Sequence, residues 1–471
     1  MTKIQAPMRV TLIYPSMGGR MRAVQMQPLT MAALAGLTPQ NVSLSFYDDR
    51  IEEVPYEQPT DMVGISVQVF TAKRAYEIAA EFRRQRVPVV LGGFHVTSMP
   101  EEAAEHADAI VIGDSEDLWP DVIEDARRGR LQQVYQSDKR PCLRGMVYRR
   151  DIFNGKRYQP VHLVEFGRGC PHACSFCSVG VHFGHRKTCR PVSEVVEEIR
   201  TLPRGRILFA DDNLIGDVAR AKELFHALIP LNVRWTAQAG IEIAFDDELL
   251  QLATASGCEG LLIGFESLNE GSLRQLRKPM TNGPQRFDEA VRKMHGQGIK
   301  ICASFVFGCD HDTAESFEST LAFANEKKFL LALFNHLTPY PGTPLYDELK
   351  LQSRLRHEKW WLSPDFRWGD VVFDPKNLTA QTLSESCRLN RRKFYDLANV
   401  LRRISLGANR RSLLGSLALN LLVRREIREK QGFPLGHDRS RGRSFNINTD
   451  DYTSGCNGVG PQTKSDAGRI S

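Results

Sequence analysis

The sequence predicts an α/β protein: an N-terminal parallel-sheet domain, then an open barrel of six β/α units, then a helical C-terminal region. Three observations predict it. Short apolar strands alternate with amphipathic helices from about residue 8 to residue 340. The alternation pauses at 141–160 and then restarts. After residue 346 helical periodicity takes over. The expected divisions are 1–140, a linker at 141–160, a barrel at 161–345, a helix-rich basic region at 346–445 and a disordered tail at 446–471.

In the first domain, residues 8–14 read as an apolar strand and 28–37 as a helix. Residues 41–49 alternate as a strand does. MVGISVQ (62–68) is a short strand, and TAKRAYEIAAEFRRQ (71–85) is an amphipathic helix. VPVVLGG (87–93) and AIVIGD (109–114) are two further strands. Strands joined by helices build a parallel sheet with right-handed crossovers, and such sheets bind ligands beyond the carboxyl ends of their strands. That places Ser66, Val67, Gly92, Gly93, His95, Thr97, Gly113 and Asp114 on one rim. The glycine pair permits close approach of a ligand, and His95 reads first as a polar loop contact.

The second series runs HLVEFGRG (162–169), RILFADDN (206–213), VRWTAQAG (233–240), GLLIGFES (260–267), IKICASFVFG (299–308) and LALFNHLTPY (331–340) as strands. Helices fall between them at 191–202, 219–229, 247–257, 287–298 and 316–328. Polar residues gather at the strand ends, where barrels place chemistry. Residues 446–471 are polar and Gly-rich, a composition that does not build a core.

The chain has 471 residues, 42% hydrophobic and 25% charged, which excludes collagen-like and wholly disordered classes. Ten cysteines are too few for a disulfide-stapled secreted module. The opening MTKIQAPMRV lacks the apolar core of a secretory signal, so a cytoplasmic protein is expected. From Arg388 to Arg443 there are 15 Lys/Arg against 4 Asp/Glu, a local +11; with +6 overall, the remainder carries −5. LLGSLALNLLVRREIREK (413–430) joins an apolar half to a basic half. It reads as a packed helix or as a contact with the inner face of a membrane. Without interleaved aromatics, the basic region gives no reason to expect nucleic acid.

Residues 1–141 contain no cysteine, and then GRGCPHACSFCSVG brings Cys170, Cys174 and Cys177 within eight residues. Three thiolates can converge on one soft metal centre. Three ligands on a four-iron cluster leave one iron open for a substrate or second cofactor. Zinc with His172, His182 or His185 as fourth ligand is the alternative, but zinc sites usually bring a second ligand pair and none is present.

The cysteine loop, with Phe176 before the last cysteine, resembles that of radical S-adenosylmethionine (SAM) enzymes. The preceding domain is similar to the Rossmann-like cobalamin-binding domain of the cobalamin-dependent members. Gly92-Gly93-Phe94-His95-Val96-Thr97, Pro100-Glu101-Glu102 and Val111-Ile112-Gly113-Asp114 carry that likeness. RPVSEVVEEI, FADDN, GFES and TPYPGTPLY add to it, over residues 8–346. One departure is clear. The DxHxxG signature that supplies a histidine to cobalt is replaced by Tyr47-Asp48-Asp49-Arg50. The resemblance therefore implies cobalamin without a histidine lower ligand. A second departure is Asp114, where the class usually has Glu.

The resemblance implies a 4Fe–4S cluster on Cys170, Cys174 and Cys177, with SAM on the open iron. Phe176 would pack on adenine. Asp212 and Asn213, beside Asp211, would meet the SAM ammonium. Glu266 and Ser267 would meet the ribose, with Gln238 between. Ser66, Gly92, Gly93, His95, Thr97 and Gly113 would contact cobalamin. No catalytic acid or base is identified. The implied activity is methylation of an unactivated carbon of a small-molecule or lipid substrate, with flavodoxin or ferredoxin as electron donor. A radical cyclase or oxidative enzyme using the same cofactors is the alternative. A non-catalytic corrinoid-binding protein would have no need of the open-iron cysteine set. A methylthiotransferase would need N-terminal cysteines that are absent.

Overall fold

The computed structural model describes residues 7–17, 25–137, 139–279, 283–405 and 407–434. The predicted tail at 446–471 lies outside them.

The first sheet has six parallel strands: β1 (Met8–Tyr14), β2 (Val42–Asp48), β3 (Met62–Ser66), β4 (Val89–Gly92), β5 (Ala109–Ile112) and β6 (Val134–Gln136). Their order is β2-β1-β3-β4-β5-β6. The order reverses between β1 and β3, which opens a crevice at the strand ends. Ser66 ends β3 directly opposite Gly92 at the end of β4, so two rim residues sit side by side. Val63 and Ile65 are buried on one face of β3 and Met62 on the other, as a doubly covered strand requires. The short edge strand β6 was not anticipated; three residues carry too little pattern to read.

The second sheet is the open barrel. It is built from β7 (Val161–Val164), β10 (Arg206–Phe209), β11 (Arg234–Ala239), β12 (Cys258–Glu266), β13 (Lys300–Phe307) and β14 (Leu331–His336). These six pair in sequence order and all in parallel. Ile301, Ala303, Phe305 and Phe307 of β13 are buried against helices, and the alternate residues are half-buried. The free edge of β14 is capped: Tyr395 Oη accepts from Ala332 N–H at 3.2 Å and lies 3.3 Å from Ala332 C=O.

The expected strand at 162–169 is broken. It stops at Val164, and a two-residue ribbon follows, β8 (Gly167–Arg168) against β9 (Thr188–Cys189). The break has a cause. Phe166 N–H donates to Asp211 Oδ2 at 2.9 Å instead of continuing the ladder. The strands expected at 206–213 and 331–340 likewise end at Phe209 and His336, and their polar ends form loops. The linker at 141–160 is packed rather than loose, with Leu143, Met146 and Phe153 buried.

The C-terminal region is helical: Pro344–Leu351, Ala380–Phe394, Leu397–Ile404 and Leu413–Glu429. Trp360 and Trp361 are buried within the core of the first sheet's helical layer, beside Tyr76 and Phe82. The tryptophan pair therefore braces the N-terminal domain, a role its sequence position did not suggest.

Candidate cofactor site

The cysteine loop hangs from several fixed points. Gly169 has φ +85°, and a Cβ there would lie 2.1 Å from Arg186 C=O, so only glycine fits. Asp212 Oδ2 accepts from Gly169 N–H at 2.9 Å. Asn213 Nδ2 reaches Cys170 Sγ at 3.7 Å, and its Oδ1 accepts from Gly240 N–H at 3.2 Å. Ser175 N–H donates to Leu276 C=O, and Leu345 N–H to Ser175 C=O, both at 2.9 Å. The last bond ties the loop to the TPYPGTPLY turn, where Thr343 caps its helix by accepting from Tyr346 N–H.

Cys170, Cys174 and Cys177 are half-buried and carry no disulfide. They lie close enough that Cys170 and Cys177 oppose ionisation of Cys174, and Cys170 opposes that of Cys177. Burial pushes the Cys174 thiol up to about 11, against the pull of Lys278. Cys177 is raised by burial as well, but the N–H groups of Val179 and Gly180 at the start of the next helix favour its thiolate. Among the described residues no trio of His, Cys, Asp or Glu closes tightly enough for a single metal ion. Cys170, Cys174 and Cys177 supply the thiol set that an iron–sulfur cluster takes. Two of the three loop histidines are engaged elsewhere. His172 Nε2 pairs with Glu242 Oε1 at 2.5 Å, and His185 Nδ1 lies 3.1 Å from His172 C=O.

Behind the loop, Lys187 Nζ and Asp211 Oδ1 form a buried pair at 2.5 Å. Burial raises the Asp211 carboxyl, and Lys187 opposes the rise. Asp211 is therefore a brace for the loop. Glu266 ends β12 at φ +62°, after a register shift between Gly264 and Glu266. A bulge of this kind re-aims a side chain, and here Glu266 Oε1 meets Lys278 Nζ at 3.0 Å. Burial opposes the Lys278 ammonium, yet Glu266 and Cys174 keep it at about 12. Ser267 Oγ accepts from Asn269 N–H at 3.0 Å. Gln238 leaves its side chain exposed on β11, while its carbonyl accepts from Leu214 N–H. Phe176 is half-buried against the barrel core. Tyr340 lies near Cys177, its hydroxyl raised to about 12 by burial.

A cavity opens at the carboxyl ends of β3, β4 and β5. Its wall includes Ser66, Gly92, Gly93 and Gly113 from the first domain and Arg168, His182, Phe183 and Asp212 from the barrel. Gly93 has φ +105°, and a Cβ there would lie 2.8 Å from Val67 C=O. Arg168 joins the two halves through Asp114 at 3.1 Å, Glu116 at 2.5 Å and Glu165 at 2.8 Å. The departure at Asp114 is thus accommodated by an interdomain ion pair.

Three expected rim residues, Val67, His95 and Thr97, do not reach the cavity. His95 is fully buried behind it, with Nε2 3.1 Å from Tyr76 Oη and 3.0 Å from Glu102 Oε1. Thr97 Oγ1 accepts from Gly113 N–H at 2.9 Å and so supports the rim. Both are supports rather than wall. Among the described residues the one histidine of the cavity wall is His182, stacked on Phe94 with ring centroids 4.1 Å apart. Burial lowers its imidazole to about 4. Arg168, Lys187 and Lys278 were not singled out from sequence, and His182 was named only as a possible zinc ligand. Arg168 and His182 flank the cysteines within five residues, the only signal they carry.

Comparison with known proteins decides the assignment. The radical SAM superfamily model matches residues 164–324, and the B12 binding domain model matches residues 26–123. The bacteriochlorophyllide d C-12(1)-methyltransferase of Chlorobaculum tepidum is 30% identical over 390 residues, spanning 80% of this chain and 84% of that protein. This chain belongs to the cobalamin-dependent radical SAM methyltransferases. The hopanoid C-2 methylase of Rhodopseudomonas palustris is 24% identical over 71% of this chain and 66% of its own length. In fold, the enzyme is similar to the radical SAM methyltransferase TsrM from Kitasatospora setae. The TM-score is 0.59 at 17% identity, over 80% of this chain and 81% of that one.

A radical SAM methyltransferase of this class uses a 4Fe–4S cluster, SAM and cobalamin, and the residues present fit them. Ser66 Oγ, Glu116 Oε2 and His182 Nδ1 are buried at the cavity wall without hydrogen-bond partners. Three orphaned polar atoms in one cavity are costly; the amide rim of a corrin ring held there would offer such atoms partners. When bound, the cluster and SAM supply a 5′-deoxyadenosyl radical and cobalamin carries the methyl group. The chain's own part is positioning. Asn213 and Asp212 set the loop that bears the thiols, Lys278 balances charge beside Cys174, and Arg168 keeps the cavity registered against the barrel.

Proposed function

We propose that the enzyme methylates an unactivated carbon of an apolar small molecule, a tetrapyrrole or a polycyclic lipid. The carrying observation is the neutral face of the barrel sheet. Thr236, Gln238, Leu262, Gly264, Ser304 and Val306 alternate with the helix-packed residues. Charged side chains on that face, Arg206, Arg234 and Lys300, stand only at the amino ends of their strands, and the middle of the face presents no ionised side chain before Glu266. Such a surface suits an apolar substrate, whose charged competitors would be left unpaired there. The named activities of the bacteriochlorophyllide and hopanoid relatives support the same substrate class. The reading assigns Phe176, Asn213, Gln238, Glu266 and Ser267 to the SAM side. Ser66, Gly92, Gly93 and Gly113 fall to the cobalamin side, and no histidine ligates cobalt from below. It includes an external one-electron donor such as flavodoxin or ferredoxin, and peripheral contact with a membrane.

The test uses anaerobic protein reconstituted with iron, sulfide and hydroxocobalamin. It is given methyl-deuterated SAM, a reductant and extracts enriched in tetrapyrroles or polycyclic lipids. Formation of 5′-deoxyadenosine together with a product carrying the labelled methyl group is expected. A product altered in hydrogen or oxygen content, with no label, would replace methyl transfer by the oxidative or ring-forming reading.

A further inference from the structure

The last helix is built inside out. Leu413–Glu429 buries Ser416, Asn420 and Ile427. Ser416 Oγ donates to Asn409 C=O at 3.1 Å, and Asn420 Nδ2 donates to Leu330 C=O at 3.2 Å. Arg403 donates to Asn420 Oδ1 at 3.2 Å. Polar bonds therefore seat the helix, and its leucines face outward. Leu414 is 81% exposed and Leu422 is 65% exposed. On the neighbouring helix Leu397–Ile404, Leu397 and Leu401 are exposed one turn apart. Scattered exposed leucines are ordinary, but a row across two adjacent helices marks an interaction surface.

Charge identifies the partner. Between Leu397 and Lys430 there are eight Lys/Arg and two Glu. Arg402, Arg410, Arg425 and Arg428 stand exposed around the leucines. We propose that this face docks the enzyme on an anionic lipid surface, with the leucines entering the headgroup boundary and the arginines meeting lipid phosphates. A second copy of the chain would oppose two arginine sets. Residues 435–471 offer apolar side chains only singly, as at Leu435, Phe445 and Ile447, and cannot cover the row. No helix among the described residues is long and apolar enough to cross a membrane, so the contact is interfacial. The inference deepens the reading of a lipid-soluble substrate and rests on that reading for its purpose. Its test needs no turnover, so the two can fail separately.

The experiment is sedimentation of the full-length reconstituted enzyme with vesicles of phosphatidylcholine alone or mixed with phosphatidylglycerol. Binding to the anionic vesicles, weakened by salt, is expected. L414D/L422D should weaken it by roughly tenfold or more, and R425Q/R428Q by roughly fivefold per removed charge, with unchanged thermal unfolding and corrinoid content. Equal binding to neutral vesicles, or binding untouched by both variants, would overturn the proposal. So would a leucine-dependent dimer in lipid-free solution, which would make a second copy the occupant. Binding that appears only after residues 435–471 are removed would make the tail the occupant.

Discussion

The indole Nε1 of Trp361 donates to Glu102 Oε1 at 2.9 Å, in a bond between residues 259 positions apart. The same carboxylate meets His95 Nε2, Tyr76 Oη and Lys359 Nζ. The C-terminal region is thereby keyed into the wall behind the cavity of the first sheet. Although burial opposes its charge, the bonds from His95, Trp361 and Lys359 lower the Glu102 carboxyl to about 2.

That depression sets a pH dependence. The folded value lies below the unfolded value of about 4.3, so the contribution is present above about pH 4.3 and is lost as pH falls toward 2. Glu102→Gln should cost about 1–3 kcal/mol at neutral pH. It should also flatten the acid limb, as read from urea midpoints across that window.

Each of Cys170→Ala, Cys174→Ala and Cys177→Ala should abolish retention of the cluster and formation of 5′-deoxyadenosine while leaving corrinoid binding in place. Iron and sulfide analysis beside the corrinoid spectrum checks this. A variant that kept full iron content would remove that cysteine from the ligand set.

Lys187→Met leaves the Asp211 carboxylate buried without its cation, at an expected loss of about 3–5 kcal/mol. Adding Asp211→Asn should recover part of that loss. A double-mutant cycle by chemical denaturation measures the coupling.

Gly93→Ala should cost about 1–3 kcal/mol through its left-handed backbone. The added Cβ also presses on Val67 C=O at the rim. Corrinoid retained through gel filtration should fall more than thermal stability does.

His182→Phe keeps the stack on Phe94 and removes an unpaired buried nitrogen. Cofactor-free stability should be unchanged or raised, and corrinoid affinity should fall by roughly fivefold or more. Burial holds the wild-type imidazole at about 4, below its unfolded value of about 6.5. Its contribution is therefore present above about pH 6.5 and is lost as pH falls toward 4. The variant should lack that slope in an apo-protein stability profile.

Most of the architecture was legible because it rests on local pattern. Six barrel strands and five of the six strands of the first sheet announce themselves by apolar runs between helices. The edge strand Val134–Gln136 and the ribbon at Gly167–Arg168 do not, because so few residues carry no period. Strand ends were overextended at Asp211, Asp212 and Asn213, where side chains take the bonds that a ladder would have used. His95 was placed by sequence on the rim; which way its ring turned depended on Glu102 and Trp361, and the latter lies far along the chain.

By itself the sequence determined the α/β class, the order of the parts and the three thiols, because periodicity and close spacing are local properties. The tertiary structure alone decided that Arg168 bridges the two halves and that Lys187 neutralises Asp211. It also decided that His182 replaces His95 at the cavity wall and that the last helix turns its leucines outward. Burial, ion pairing and exposure are set by which distant segments meet, and no window of sequence contains both partners.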